Sequence, residues 1–107
     1  MILELREYVA LPDRAEDLHR RFGEETLDLF DEVGLDLRGF WHAADERRRI
    51  VYLCAFADVA AAVAFWESFR ADPRWIALKE RTEATGPLIE KIESTYLVEP
   101  DYVVARR

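Results

Sequence analysis

Residues 39–56 read GFWHAADERRRIVYLCAF: an aromatic pair ahead of a histidine, a charged break, then a nearly unbroken apolar run. From Arg49 to Phe56 the residues alternate, with Ile50, Tyr52, Cys54 and Phe56 in one set and Val51, Leu53 and Ala55 in the other. Successive side chains of a strand point to opposite faces, so both faces of this strand call for burial. Leu35 to Ala43 reads as a preceding strand. The polar connection around Ala44, Asp45, Glu46 and Arg47 is short enough to make the two an antiparallel hairpin. The Arg47-Arg48-Arg49 run then falls at a solvated hairpin tip or at the start of the second strand.

On the N-terminal side, Ile2 to Val9 alternates with Leu3, Leu5 and Val9 opposite Glu4, Arg6 and Tyr8, which suits a strand. From Pro12 to Val33, the residues Ala15, Leu18, Phe22, Leu29 and Val33 recur at helical spacing, with Leu27 and Phe30 widening the stripe. Gly34 is expected to end that helix in a left-handed conformation. On the C-terminal side, Asp58 is an N-cap for a helix VAAAVAFWESFRA, whose inner face is read as Val59, Val63, Trp66 and Phe69 or Arg70. Asp72-Pro73 caps and starts a further helix, PRWIALKERTEA, carrying Trp75, Ile76 and Leu78 and closed by Gly86-Pro87. Leu88 to Val98 is a last strand, and the tail from Glu99 either docks or frays.

The order strand, helix, strand, strand, two helices, strand predicts an α+β chain, a ferredoxin-like βαββαβ sandwich with a four-stranded antiparallel sheet, as a single domain over residues 1–107. Such a sandwich leaves one sheet face without helices, and that face should turn polar if nothing covers it. Val51, Leu53 and Ala55 do not. A second copy of the chain packed sheet to sheet is the economical cover, which predicts a twofold homodimer through the sheet face.

Fifteen Lys and Arg stand against 22 Asp and Glu, a formal net charge of −7. Phosphate backbones and anionic lipid surfaces would be repelled, so neither nucleic acid nor membrane is an expected partner. The lone Cys54 cannot form an internal disulfide, and no Cys/His spacing matches a zinc site. No leader-like or membrane-spanning run is evident in the chain, and a cytoplasmic location is expected.

Several segments together resemble the NIPSNAP family of the dimeric α/β-barrel superfamily. They are Glu4-Leu5-Arg6 with Tyr8, Thr26-Leu27-Asp28-Leu29-Phe30, Gly39-Phe40-Trp41, Val51-Tyr52-Leu53, the block WESFRADPRW from Trp66 to Trp75, and Pro100-Asp101-Tyr102. The resemblance runs over nearly the whole chain. It implies a ferredoxin-like protomer whose sheets pair across a twofold axis as a dimeric α/β barrel, with room for a pocket between each sheet and its helices. It implies little about activity.

Arg6, Tyr8, Arg38 and Tyr52 lie on strands that adjoin in such a sheet, and a buried arginine needs an anion to offset its desolvation. That anion is either a bound carboxylate or enolate, as similar residues hold in the cofactor-free oxygenases of the superfamily, or an internal partner among Glu4, Glu90 and Glu93. Trp41, Trp66 and Trp75 with Phe40, Phe65 and Phe69 supply either a pocket lining or a core. His42 reads as a rim residue at the hairpin edge. It could serve as a base or as a haem or metal ligand, and His19, near the helix boundary with solvent, is the other candidate for haem, but two isolated histidines do not make a metal site.

Nucleophile elbows, Walker loops and dinucleotide glycine loops are absent, so no cofactor is expected. The candidate ligand-binding set is Arg6, Tyr8, Arg38, Trp41, His42, Tyr52 and Trp66, with no catalytic residue assigned. The reading is a protein of unassigned activity that binds a small apolar or aromatic acid between sheet and helices. The alternative is a small cofactor-free monooxygenase acting on an aromatic or polyketide-like substrate.

Overall fold

The hairpin forms as read, with one change at its tip. In a computed structural model that describes all 107 residues, β2 (Asp36–Ala43) and β3 (Glu46–Phe56) are joined by Ala44-Asp45 alone. Ala43 faces Glu46 while His42 faces Ile50, so Arg47, Arg48 and Arg49 bulge out of the β2–β3 ladder. They begin a strand rather than form a tip, and each finds an oxygen nearby. Arg47 pairs with Glu16, Arg48 donates to the Ala10 carbonyl at 2.9 Å, and Arg49 pairs with Glu7.

β1 (Ile2–Ala10) and β4 (Ile89–Leu97) complete an antiparallel sheet of order β2-β3-β1-β4. This is the strand order of the ferredoxin-like α+β sandwich. The expected long helix is broken in three: α1 (Ala15–Arg21), a π-helical turn (Phe22–Thr26) and α2 (Leu27–Glu32). In the π turn the Leu27 N–H reaches back to the Phe22 carbonyl, one residue further than an α-helix allows. Gly34 ends α2 at φ 80°, where the Leu35 N–H bonds to the Phe30 carbonyl and the Gly34 N–H to that of Asp31. That pair of bonds is the Schellman closure, and its left-handed residue favours glycine.

Asp58 caps α3 (Val59–Ala71) by accepting from the Ala61 N–H at 2.8 Å. Asp72 caps α4 (Pro73–Thr82) through the Arg74 N–H at 2.9 Å, with Pro73 in the first turn. The buried side of α3 differs from the expected one. Ala62, Trp66 and Phe69 face inward, while Val59 and Val63 stand 43% and 45% exposed, and Ile76 of α4 is 49% exposed. The helix is turned so that the Trp66 indole N–H meets a buried carboxylate, that of Glu4, at 2.8 Å. The tail forms a short exposed helix, α5 (Asp101–Val104), with Tyr102 72% exposed.

Register assigns the two faces of the sheet. Glu4, Arg6 and Tyr8 lie opposite Cys54, Tyr52 and Ile50 and share the helix-covered face with them. Leu3, Leu5 and Val9 lie opposite Ala55, Leu53 and Arg49 on the uncovered face. Hydrophobicity alone would have put the leucines of β1 inside. The core sits between the covered face and the helices, built on Tyr52, Ile50, Leu18, Phe22, Phe30, Trp66 and Phe69. No helix is long and apolar enough to cross a membrane.

Candidate functional site

The site begins with a polar row on β1. Glu4 is 1% exposed, and a buried carboxylate is costly unless its oxygens are occupied. Here they are: Trp66 Nε1 donates to one oxygen at 2.8 Å, and Ser94 and Arg6 Nη1, the latter at 3.1 Å, donate to the other. Arg6 spends two more donors on phenols, Nε on Tyr52 at 2.9 Å and Nη2 on Tyr8 at 3.1 Å, and its guanidinium lies 4.1 Å from the Trp66 ring centre. A planar cation with five fixed donors suits such simultaneous contacts, which lysine could not reproduce.

The two phenolic oxygens are 2.8 Å apart. Tyr52 is fully buried and Tyr8 borders open space. Either phenol can donate in this bond, and each also accepts from Arg6. Burial raises the Tyr52 pKa well above the ordinary phenol value, the neighbouring Tyr8 raises it further, and Arg6 only partly opposes them. Desolvation works against the Arg6 charge, yet Tyr8 and Tyr52 beside it outweigh that effect and its pKa stands above the ordinary value. The row thus consists of a carboxylate, a lasting cation and two phenols.

Over this row lies a cavity of about 360 Å³ between sheet and helices, within the usual range for small-molecule sites. Arg6 and Tyr8 form its floor with Ile89 and Ile92 of β4. Phe22, Thr26 and Phe30, spaced by four along the interrupted helix, hang from above, and Trp66, Phe69 and Trp75 close the aromatic wall. Arg21, Arg70 and Lys79 bring further positive charge. Arg21 is 3% exposed and is held by Glu83 at 2.9 Å and by the Trp75 ring at 5.2 Å. Arg70 makes no ion pair, and Lys79 shares Glu83 at 3.5 Å. Four cations and no carboxylate line the space, in a chain whose formal net charge is −7.

Of the residues singled out in the sequence, Arg6, Tyr8 and Trp66 line this cavity, and Tyr52 lies directly beneath it as support. The internal ion pair expected for arginine is present for Arg6, with Glu4. The other three candidates lie elsewhere. Arg38 falls in a β2 bulge and pairs with Asp36 at 2.8 Å in the open. Trp41 stands on the uncovered sheet face, with its ring over Gly39 so closely that a Cβ there would come within 2.2 Å of it. His42 is at the hairpin edge beside His19, the rings 5.5 Å apart, and each imidazole bonds a backbone carbonyl, His42 that of Ala43 and His19 that of Arg47. No group of three or more metal-ligating side chains is assembled anywhere.

Sequence reasoning passed over Arg21, Lys79 and Glu83, named Arg70 only as an alternative to Phe69 on the inner face of α3, and gave Thr26 no place in the site. The spacing Phe22, Thr26, Phe30 was a usable signal, because a hydroxyl between two core aromatics at intervals of four must sit on the buried stripe.

Residues 3–102 match the sequence profile of the NIPSNAP family. An uncharacterized NIPSNAP domain protein from Burkholderia xenovorans is 26% identical, with 95% of this chain and 97% of that one aligned at a TM-score of 0.78. A NIPSNAP family protein from Agrobacterium tumefaciens is 20% identical over 94% of each chain, also at 0.78. A protein from Nitrosomonas europaea, proposed as an antibiotic biosynthesis monooxygenase, shares the fold at a TM-score of 0.63 and 16% identity over 92% of this chain and 98% of that one. No curated protein matches the chain. With a profile match over almost its entire length and the same fold in two NIPSNAP proteins, the chain belongs to the NIPSNAP family.

Proposed function

We propose that this chain binds a small aromatic acid in the cavity between sheet and helices, and does so as a homodimer paired through the uncovered sheet face. The observation that carries the first part is the lining: an aromatic-walled space of about 360 Å³ that gathers four cations and no carboxylate in a strongly acidic protein. Glu4 neutralises Arg6 and Glu83 neutralises Arg21, so the unspent positive charge lies at the exposed rim, on Arg70 and in part on Lys79. An acid entering there keeps its carboxylate near water and slides its ring between Phe22, Phe69 and Trp75. Isothermal titration and thermal shift with benzoate and phenylacetate, against benzamide and benzylamine as controls, test the charge preference. A saturating acid at ~100 times its dissociation constant should add roughly 2.7 kcal/mol, and Arg70→Ala should weaken it about tenfold. Equal stabilisation by the amide would sink the reading.

The dimer rests on the uncovered face, which carries Leu3, Leu5, Val51, Leu53 and Leu97 and, beside Val51, Trp41, which is 53% exposed. The edge strand β4 is bare on both sides along most of its length, and an unpaired edge invites a partner. Sedimentation should give twice the chain mass; a monomer mass at all concentrations rejects it.

A second reading, cofactor-free oxygenation of an aromatic substrate, draws support from the Tyr8 phenol, which lines the cavity and is hydrogen-bonded to Arg6 and Tyr52. Oxygen-electrode measurements with anthrone-type phenols and hydroquinones check it, and no uptake above the buffer rate excludes it for those substrates.

A further inference from the structure

His19 and His42 stand 23 residues apart in the sequence and side by side in the fold, their ring centres 5.5 Å apart. His19 lies on α1, three residues after Glu16, and is half-buried; His42 lies near the end of β2 and is exposed. Neither lines the cavity between sheet and helices.

Each ring commits one nitrogen to the backbone. His19 bonds the Arg47 carbonyl through Nε2 at 2.8 Å, and His42 bonds the Ala43 carbonyl through Nδ1 at 2.9 Å. A carbonyl oxygen only accepts, so the imidazole donates in both bonds, which fixes the tautomer of each neutral ring. The lone pairs then fall on His19 Nδ1 and His42 Nε2, and neither atom has a hydrogen-bond partner in the protein. An N–H held by a backbone carbonyl is the outer bond that sets tautomer and orientation in metal-ligating histidines. Here it is made twice, in neighbouring rings.

The spacing suits one shared ion. Two imidazoles each bonded at ~2.1 Å to a tetrahedral ion have ring centres roughly 5 Å apart, close to the separation found. The flanking charges do not oppose a cation: Arg47, whose carbonyl His19 bonds, is neutralised by Glu16, and Arg20, next to His19, by Asp17. Two nitrogen ligands also select the metal, because imidazole suits Cu²⁺, Ni²⁺ and Zn²⁺ while Mg²⁺ and Ca²⁺ take oxygen. No third metal-ligating side chain joins the pair, so water completes the shell and the ion is exchangeable.

We propose that His19 Nδ1 and His42 Nε2 together hold one divalent transition-metal ion, as a clasp between α1 and the β2–β3 hairpin that is separate from the acid-binding cavity. Because α1 runs straight into the π turn that carries Phe22 over the cavity, the clasp fastens the cavity roof to the sheet.

The test is titration of the intact protein with Cu²⁺, Ni²⁺, Zn²⁺ and Mg²⁺, repeated on His19→Gln and His42→Gln, whose amides still offer an N–H to the carbonyl. The wild type should bind one ion per chain, Cu²⁺ more tightly than Ni²⁺ or Zn²⁺, with no response to Mg²⁺. Each substitution should weaken Cu²⁺ at least about tenfold. The Cu²⁺ electron paramagnetic resonance spectrum should show two imidazole nitrogens in the wild type and one in either variant. No Cu²⁺ binding, undiminished binding in either variant, or a wild-type spectrum without two imidazole nitrogens overturns the proposal. The wild-type nitrogen count needs no variant, so it decides the matter even if a substituted chain fails to fold.

Discussion

The two faces of the sheet treat the hydrophobic effect in opposite ways. Beneath the helices lies a row of Glu4, Arg6, Tyr8 and Tyr52, while the face without helices carries Leu3, Leu5, Val51 and Leu53. A polar row enclosed in protein is sustained only because nearly every valence is met: one carboxylate takes three donors, one guanidinium serves three acceptors, and the phenols bond each other. Satisfaction of that kind contributes little net stability but fixes position, because a shift of one member orphans the rest. Apolar residues on the bare face need no such geometry, only a cover. One face is therefore specific on its own account, and the other sets its leucines and valines beside the ion-paired Glu7, Arg49, Lys91 and Glu93 and demands no single geometry.

The most disruptive way to break this contrast is to remove the carboxylate at its centre. Glu4→Leu leaves the Arg6 charge, the Trp66 indole N–H and the Ser94 hydroxyl without their acceptor. Breaking a buried pair on one side should lower unfolding free energy by about 3–5 kcal/mol in urea denaturation. A loss below 1 kcal/mol would mean that the row is solvated rather than enclosed. A change on the opposite face should act quite differently. Leu53→Asp puts a charge among the residues proposed to meet the partner copy, and sedimentation should show the dimer constant weakened at least about 100-fold, roughly 2.7 kcal/mol, with benzoate affinity per chain held within threefold or so. If the mass stays dimeric, the copies meet elsewhere.

The smallest effect belongs to alkaline pH. Cys54 is fully buried on the covered face, where desolvation first and the Glu4 charge second push its thiol from 9.0 up to about 12, only partly opposed by Arg6. The folded pKa is the higher one, so the contribution is complete below about pH 9 and is lost as pH rises, when the unfolded chain ionises and the folded chain does not. The decline should approach about 1.4 kcal/mol per pH unit for this group, and Tyr52, also raised, steepens it above pH 10. Cys54→Val should flatten the curve between pH 9 and 10 when stability is measured by denaturant titration, and an unchanged slope there would place the thiol in contact with water.

Alternation in β3, the Asp58 and Asp72 caps and the Gly34 stop were legible because each is a local rule carried by adjacent residues. The ladder order followed from element order. What could not be read locally was which face of β1 turns inward, because Glu4 and Arg6 become tolerable inside only through Trp66 and Ser94, 62 and 90 residues away. The same nonlocal bond rotated α3, exposing Val59 and Val63. Arg6, Tyr8, Tyr52 and Trp66 came together because they share the covered face. Arg38 and Trp41 did not, since the bulge between Leu37 and Gly39 shifts the register of β2 and sends the indole to the other side. Thr26 escaped notice because a threonine in a helical stripe gives no sign that its hydroxyl will go unpaired.

The π turn that holds Thr26 bears on how such a chain could change over generations. A π turn is an α-helix holding one surplus residue, and Gly23, within it, has nothing within 4 Å of where a Cβ would stand. Deleting that one codon would let the helix close regularly with Thr26 three and Phe30 seven residues from Phe22, spacings that keep all three on one face. Both rings would keep their places on Tyr52, now 5.9 and 5.8 Å away. The fold could thus lose or acquire the π turn in a single heritable step without disturbing the packing that holds it together.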